Sequence, residues 1–168
     1  MNTVTATEEQ VVVVGLGEVT VAHKGVRTLA CLGLGSCVGL AAYDPVARVG
    51  GMAHIVLPNS HGKAGEGSSK YADVAVPLLI EKMKHMGAIL SRIRVKIAGG
   101  AQMSSARGLG DVFKIGEDNV EAVAAVLAAQ GVSITASSIG GNRGRTFRLC
   151  ITTGAATVSS AGQEDIEL

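Results

Sequence analysis

Aromatic side chains are almost missing from this chain of 168 residues, which has two tyrosines, two phenylalanines and no tryptophan. Its core must therefore be filled by Val, Ile, Leu, Ala and Met. No apolar run approaches the roughly 20 residues of a membrane-spanning helix. The N-terminus has neither the basic segment nor the apolar stretch of a secretory leader, so the expectation is a cytoplasmic protein with reduced thiols and no direct membrane insertion. Excess charge is lacking too: fifteen Lys and Arg against fourteen Asp and Glu leave a formal net charge of +1. That argues against nucleic acid or an anionic membrane surface as a bulk electrostatic partner. Three cysteines, Cys31, Cys37 and Cys150, form no CxxC pair and no even disulfide framework. A free thiol can then serve as a reagent. Neither Gly15-Leu16-Gly17 nor Gly33-Leu34-Gly35 completes a GxGxxG or a phosphate-binding loop; both read as turns. There is no internal repeat, and no cofactor is called for.

What is present fits one domain over residues 11–160, preceded by a polar, flexible stretch (1–10) and followed by an acidic tail (161–168). Strands are expected at 11–14, 18–22, 26–32, 38–43, 48–57, 92–98, 132–138, 146–152 and 156–160. A polar loop covers 58–69. Ala72, Val76, Leu79, Met83 and Met86 recur at steps of three and four, the spacing of one helix face, within a helix over 71–86 that stops at Gly87. Pro77 lies inside it, and either kinks the helix or marks where its regular part begins. Glu117, Asp118 and Asn119 read as the cap and acidic start of a second helix over 120–130, ended by Gly131. Many strands with two main helices make this an α+β protein, a layered α/β sandwich with mixed, largely antiparallel sheet.

The stretch 32–54 carries the chemistry. If residues 38–43 and 48–57 fold about Asp44-Pro45-Val46-Ala47 so that Tyr43 pairs with Arg48, Cys37 falls directly opposite His54, with Cβ atoms roughly 5 Å apart. The same alternation puts Gly39, Ala41, Gly50 and Met52 on their face, leaving room for a substrate, and turns Val38, Leu40, Ala42, Val49, Ile55 and Leu57 toward the core. Gly33 and Gly35 permit a bend just before Cys37 that leaves backbone N–H groups near the thiol. A histidine beside a thiol can take its proton and hold a nucleophilic thiolate; equally, Cys37 can be a small core residue and His54 its satisfied neighbour. Cys31, Cys37, His54 and His61 have the ligand count of a zinc site but no tight ligand pair, and the metal reading ranks below the other two. The basic loop 140–145 is either an anion or substrate contact or a solvated hairpin tip. Cys31 and Cys150 are expected in the core, and His23, His61 and His85 at the surface.

With those residues in view, the chain resembles the chemoreceptor glutamine deamidase family, CheD, from about residue 11 to 153. GLGSCVG at 33–39 and GGMAHIVLP at 50–58 match the family's nucleophile and histidine segments at the same separation. KYADVAV at 70–76, KIAGGAQM at 96–103, IGEDNVEAV at 115–123 and GGNRGR at 140–145 follow in order. The resemblance implies a fold similar to bacterial toxin deamidases and related cysteine hydrolases, with Cys37 as nucleophile and His54 as general base and acid. It implies protein-glutamine glutaminase activity on the cytoplasmic domain of chemoreceptors and, in some members, a CheC-type regulatory phosphatase as partner.

Two positions depart from the family. Its third catalytic member is typically a threonine six residues before the cysteine, where this chain has Cys31, a poorer acceptor for orienting an imidazole. That leaves the task to Thr28 or a backbone carbonyl, or leaves the activity weakened. Ser104 stands where the family has an aromatic. The chemistry expected is attack of Cys37 on a glutamine carboxamide, an oxyanion held by N–H groups near Gly35, Ser36 and Cys37, release of ammonia, and hydrolysis of the thioester. A cysteine hydrolase of other specificity, a transglutaminase or amidase, shares the pair. A non-catalytic receptor- or phosphatase-binding module needs only the fold.

Overall fold

The computed structural model describes residues 10–63, 65, 68–103 and 114–168. Ten strands and two α-helices follow one another as β1 (Val11–Val13), β2 (Val19–Ala22), β3 (Thr28–Leu34), β4 (Val38–Asp44), β5 (Val49–Ile55), α1 (Ala72–His85), β6 (Arg94–Gly99), α2 (Ile115–Ala129), β7 (Ile134–Ile139), β8 (Arg145–Cys150), β9 (Ala156–Ser159) and β10 (Ile166–Glu167). They form two five-stranded sheets, ordered β1-β3-β8-β9-β10 and β2-β5-β4-β6-β7. β1 with β3 and β6 with β7 are parallel pairs, and the rest are antiparallel. The expected α+β sandwich thus has three layers: helices, the second sheet, and the first sheet stacked on its other face.

That stacking explains β4 and β5, every residue of which is buried. Val38, Leu40, Ala42, Val49, Ala53 and Ile55 pack with α1 and α2 residues such as Val76, Leu79, Val123 and Leu127. Ala41, Tyr43 and Met52 face the first sheet's Leu29, Phe147 and Leu149. The core is aliphatic as expected, with Phe147 fully buried and the Tyr43 hydroxyl donating to the Ile151 carbonyl at 3.0 Å. The small residues of the Cys37 face therefore do not keep space for a substrate. A Cβ on Gly50 would stand 2.5 Å from Ile151 Cδ1, and one on Gly39 would stand 3.0 Å from Leu34 Cδ1. The missing side chains let the first sheet close in.

The hairpin register is also shifted. Asp44 pairs with Val49 and Gly39 with His54, so the four-residue loop is 45–48 rather than 44–47. Asp44 causes this: fully buried, it accepts N–H bonds from Val46 at 2.9 Å and Ala47 at 3.0 Å inside the loop. It also accepts the Ile89 N–H at 2.9 Å and pairs with the Arg92 guanidinium at 3.0 Å. Burial works against its charge, but the hydrogen bonds from Ile89, Ala47, Arg92 and Val46 outweigh it and bring the carboxyl down to about 2. A two-residue slip keeps side-chain parity, so Cys37 and His54 stay on one face as diagonal rather than direct neighbours.

Helix α1 begins at Ala72 and runs unbroken through Pro77; the proline gives up one hydrogen bond near the start of the helix without restarting it. Helix α2 begins at Ile115, five residues before the expected start, so Asn119 lies inside it and is no cap. The acidic tail returns to the first sheet as β10, and the Lys96 ammonium bonds the Leu168 carbonyl. The expectations for residues 1–9 and for Ser104 fall outside the described residues.

Candidate active site

Cys37 sits, half-buried, at the end of a three-residue turn from β3 to β4. All three carbonyls of that turn are held from one side. Gly35 O accepts the Ala101 N–H at 2.8 Å, Ser36 O accepts Asn119 Nδ2 at 3.0 Å, and Cys37 O accepts the Gly100 N–H at 2.8 Å. In a trans peptide the N–H points opposite to the C=O, so the N–H groups of Ser36 and Cys37 point away from β6 and α2. Burial raises the Cys37 thiol above its ordinary value, and a hydrogen bond from its own backbone N–H partly offsets this. That N–H is therefore aimed at the sulfur's side, where an oxyanion would form. Only glycine fits at position 99, where φ is +113° and a Cβ would stand 2.1 Å from the Cys37 carbonyl oxygen.

His54 is buried in β5. Its N–H donates to Glu18 O at 3.0 Å and its carbonyl accepts the Gly17 N–H at 2.9 Å. Nδ1 lies 3.0 Å from the Val14 carbonyl. A carbonyl only accepts, so Nδ1 carries a proton, and in the neutral ring Nε2 holds the lone pair. Diagonal neighbours on one sheet face stand roughly 7–8 Å apart, within reach of a long side chain. Among the described residues no hydrogen bond joins Cys37 to the imidazole. Hydrogen bonds of this kind commonly tighten only when substrate binds.

Cys31 is fully buried, its Sγ 3.9 Å from the Ala53 carbonyl. Burial first and the neighbouring Cys37 second push its thiol up to about 12. It stays protonated, and the acceptor beside it is the main chain next to His54. Thr28 is not brought to the histidine: it lies three positions before Cys31, an odd step along the strand, so it faces the other side of β3 and pairs there with Val11 and Cys150. As for the other alternative, a backbone carbonyl, the structure brings that of Val14 to the His54 ring. Gly35 and Ser36 lie in the turn as expected. Cys150 is half-buried rather than core; burial raises its thiol, but hydrogen bonds from Thr153 and Thr152 outweigh this and hold it below the ordinary value. His23, His61 and His85 are exposed. Among the described residues no group of three or more His, Cys, Asp or Glu is placed to hold a metal ion. In the basic loop Arg145 Nη1 and Nη2 bond to Ser138 and Gly140, while Arg143 is exposed. The Gly141 carbonyl accepts the Gln102 N–H at 2.9 Å, which ties this loop to the segment flanking the Cys37 turn.

Sequence reasoning missed Asn119. Its side chain is fully buried, and Nδ2 donates to Ser36 O and to Val56 O, each at 3.0 Å. Oδ1 has no partner. Leaving such an acceptor buried and unpaired costs about 1–3 kcal/mol. The only signal was its place in IGEDNVEAV, and the acidic residues before it drew that stretch into a cap.

A family profile described as CheD chemotactic sensory transduction matches residues 56–160. A probable chemoreceptor glutamine deamidase CheD of Symbiobacterium thermophilum is 46% identical over 92% of this chain and 95% of its own. The chemoreceptor glutamine deamidase CheD of Thermotoga maritima is 45% identical over 89% and 92%, and a probable one of Desulforamulus reducens 43% over 89% and 90%. No described helix is long and apolar enough to cross a membrane. With its site geometry set beside these relatives, the chain belongs to the CheD family.

Proposed function

We propose that this protein is a chemoreceptor glutamine deamidase that converts receptor glutamine side chains to glutamate with Cys37 as nucleophile. The observation that carries the reading is the turn at 35–37, whose carbonyls are tied back so that the Ser36 and Cys37 N–H groups face the side of the thiol. Cys37 Sγ attacks the carboxamide carbon as its proton passes to His54 Nε2. The N–H groups hold the oxyanion, the C–N bond breaks, and His54 returns the proton to the leaving ammonia. Water then attacks the thioester while His54 takes its proton, giving glutamate and the free thiol. The Val14 carbonyl keeps Nε2 available at each step.

Each turnover adds a negative charge, which changes repulsion between neighbouring receptor helices. A substrate in the receptor's cytoplasmic domain places the reaction in the cytoplasm. A CheC-type phosphatase remains a candidate regulator on the family resemblance alone. The test incubates the protein with a receptor cytoplasmic fragment and maps conversion by mass spectrometry. Wild type converts glutamines and Cys37→Ala does not. Equal conversion by both removes Cys37 as nucleophile, and binding by both without conversion establishes a binding module instead.

A further inference from the structure

Helix α2 is apolar where it meets the second sheet, with Val123 and Leu127 buried against it, yet one turn earlier it buries Asn119. Packing alone does not account for an amide there. A buried leucine would fill the space without stranding an acceptor, and among the described residues Oδ1 has no partner. Both groups within reach of the amide's other end, Ser36 O and Val56 O, are carbonyls, so only the NH2 can face them. One side chain thereby spans the two halves of the site: Ser36 O belongs to the peptide that carries the Cys37 N–H, and Val56 lies two residues beyond His54. Around the turn, the Gly35 and Cys37 carbonyls are held by main-chain donors. The middle carbonyl is held by the Asn119 side chain.

We infer that Asn119 is a positioning residue for catalysis, which fixes the Ser36–Cys37 peptide so that the Cys37 N–H points at the sulfur and at the developing oxyanion. The inference rests on Cys37 being the nucleophile, but it is a statement about a peptide plane and can be read without turnover. Pinning Ser36 O on the α2 side turns the Cys37 N–H to the opposite side of that plane. Released from Asn119, the peptide can rotate, and both the thiolate and the tetrahedral oxyanion lose an aligned donor. No contact with substrate is involved, because the amide is sealed from solvent.

The test uses Asn119→Leu, close in size but without the amide, and Asn119→Ser, too short to reach either carbonyl. Iodoacetamide labelling at pH 8, resolved by site, reads Cys37 against Cys150 in the same molecule. The Cys37-to-Cys150 ratio is expected to fall about three- to tenfold, the loss of one hydrogen bond to a thiolate. On the receptor fragment, kcat falls about ten- to a hundredfold while KM stays within about threefold. A purely structural role lowers the thermal midpoint and leaves the ratio and kcat of the folded variants unchanged, and that result overturns the inference. If wild type converts no receptor, the ratio still decides: a fall supports the positioning role while removing the deamidase reading, and an unchanged ratio rejects the role.

Discussion

The Cys37 thiol is predicted to be protonated in the resting protein at neutral pH, and its alkylation profile measures this directly. Burial raises it above the ordinary 9.0. The thiolate is then a minor species at neutral pH, and ionising the thiol in place runs against its burial. The sign is definite: a raised value lowers the thiolate fraction at every pH, so reactivity toward iodoacetamide climbs about tenfold per pH unit through neutral pH and levels off later than for an ordinary thiol. Labelling between pH 5 and 10.5 with site-resolved mass spectrometry carries two internal standards. Cys150, held below the ordinary value by Thr153 and Thr152, reacts at lower pH than Cys37. Cys31, buried and raised to about 12, stays unlabelled. In the proposed mechanism the consequence is that His54 accepts the proton during attack, as a general base. Fast, pH-independent labelling of Cys37 between pH 5 and 7 would falsify this, since it marks a preformed thiolate–imidazolium pair.

Two further expectations separate the parts of the site. Cys31→Thr and Cys31→Ala should each retain deamidation within about threefold of wild type, because His54 Nδ1 is held by Val14 and not by residue 31; loss as complete as in Cys37→Ala makes Cys31 a catalytic member. Gly99→Ala drives a Cβ to 2.1 Å from the Cys37 carbonyl at a φ of +113°, so denaturant melts should show a loss of about 2 kcal/mol or more together with lost activity. Wild-type stability and turnover in that variant mean the turn is not held as described.

Much of the site was legible because side-chain parity survives a register slip of two residues. Placing Cys37 and His54 on one strand face needed only alternation along 38–43 and 48–57, and the slip of two residues left both on that face. The slip itself was not legible: Asp44-Pro45 reads equally as the start of a loop, and what moves the loop is the Asp44 carboxylate, anchored from outside the hairpin by Ile89 and Arg92. Gly39 and Gly50 were misread for a related reason, since a missing side chain does not say whether a ligand or a Leu149 fills the space. Asn119 was hidden by a local rule that was reasonable on its own terms. The true helix start is set by a tertiary contact, the approach of Gly116 to the Gly100 and Ala101 carbonyls, where a Cβ would stand 2.6 Å from each oxygen.

The substitution at Cys31 shows the deeper limit. A motif records side chains, and six residues before the nucleophile a thiol looks like the loss of the group that steers the base. In the folded protein the steering atom is a main-chain oxygen, supplied by Val14 as β1 ends beside β3. Any residue type at 14 supplies the same oxygen, so no sequence pattern could have announced it. The backbone that orients His54 is held in turn by the Val14 N–H on Ala30 O and by Gly17 and Glu18 on the main chain of His54. Residue 31 is then free to serve the core, where a buried, neutral thiol is as useful as a methyl group. The base keeps its tautomer for as long as β1 stays paired with β3.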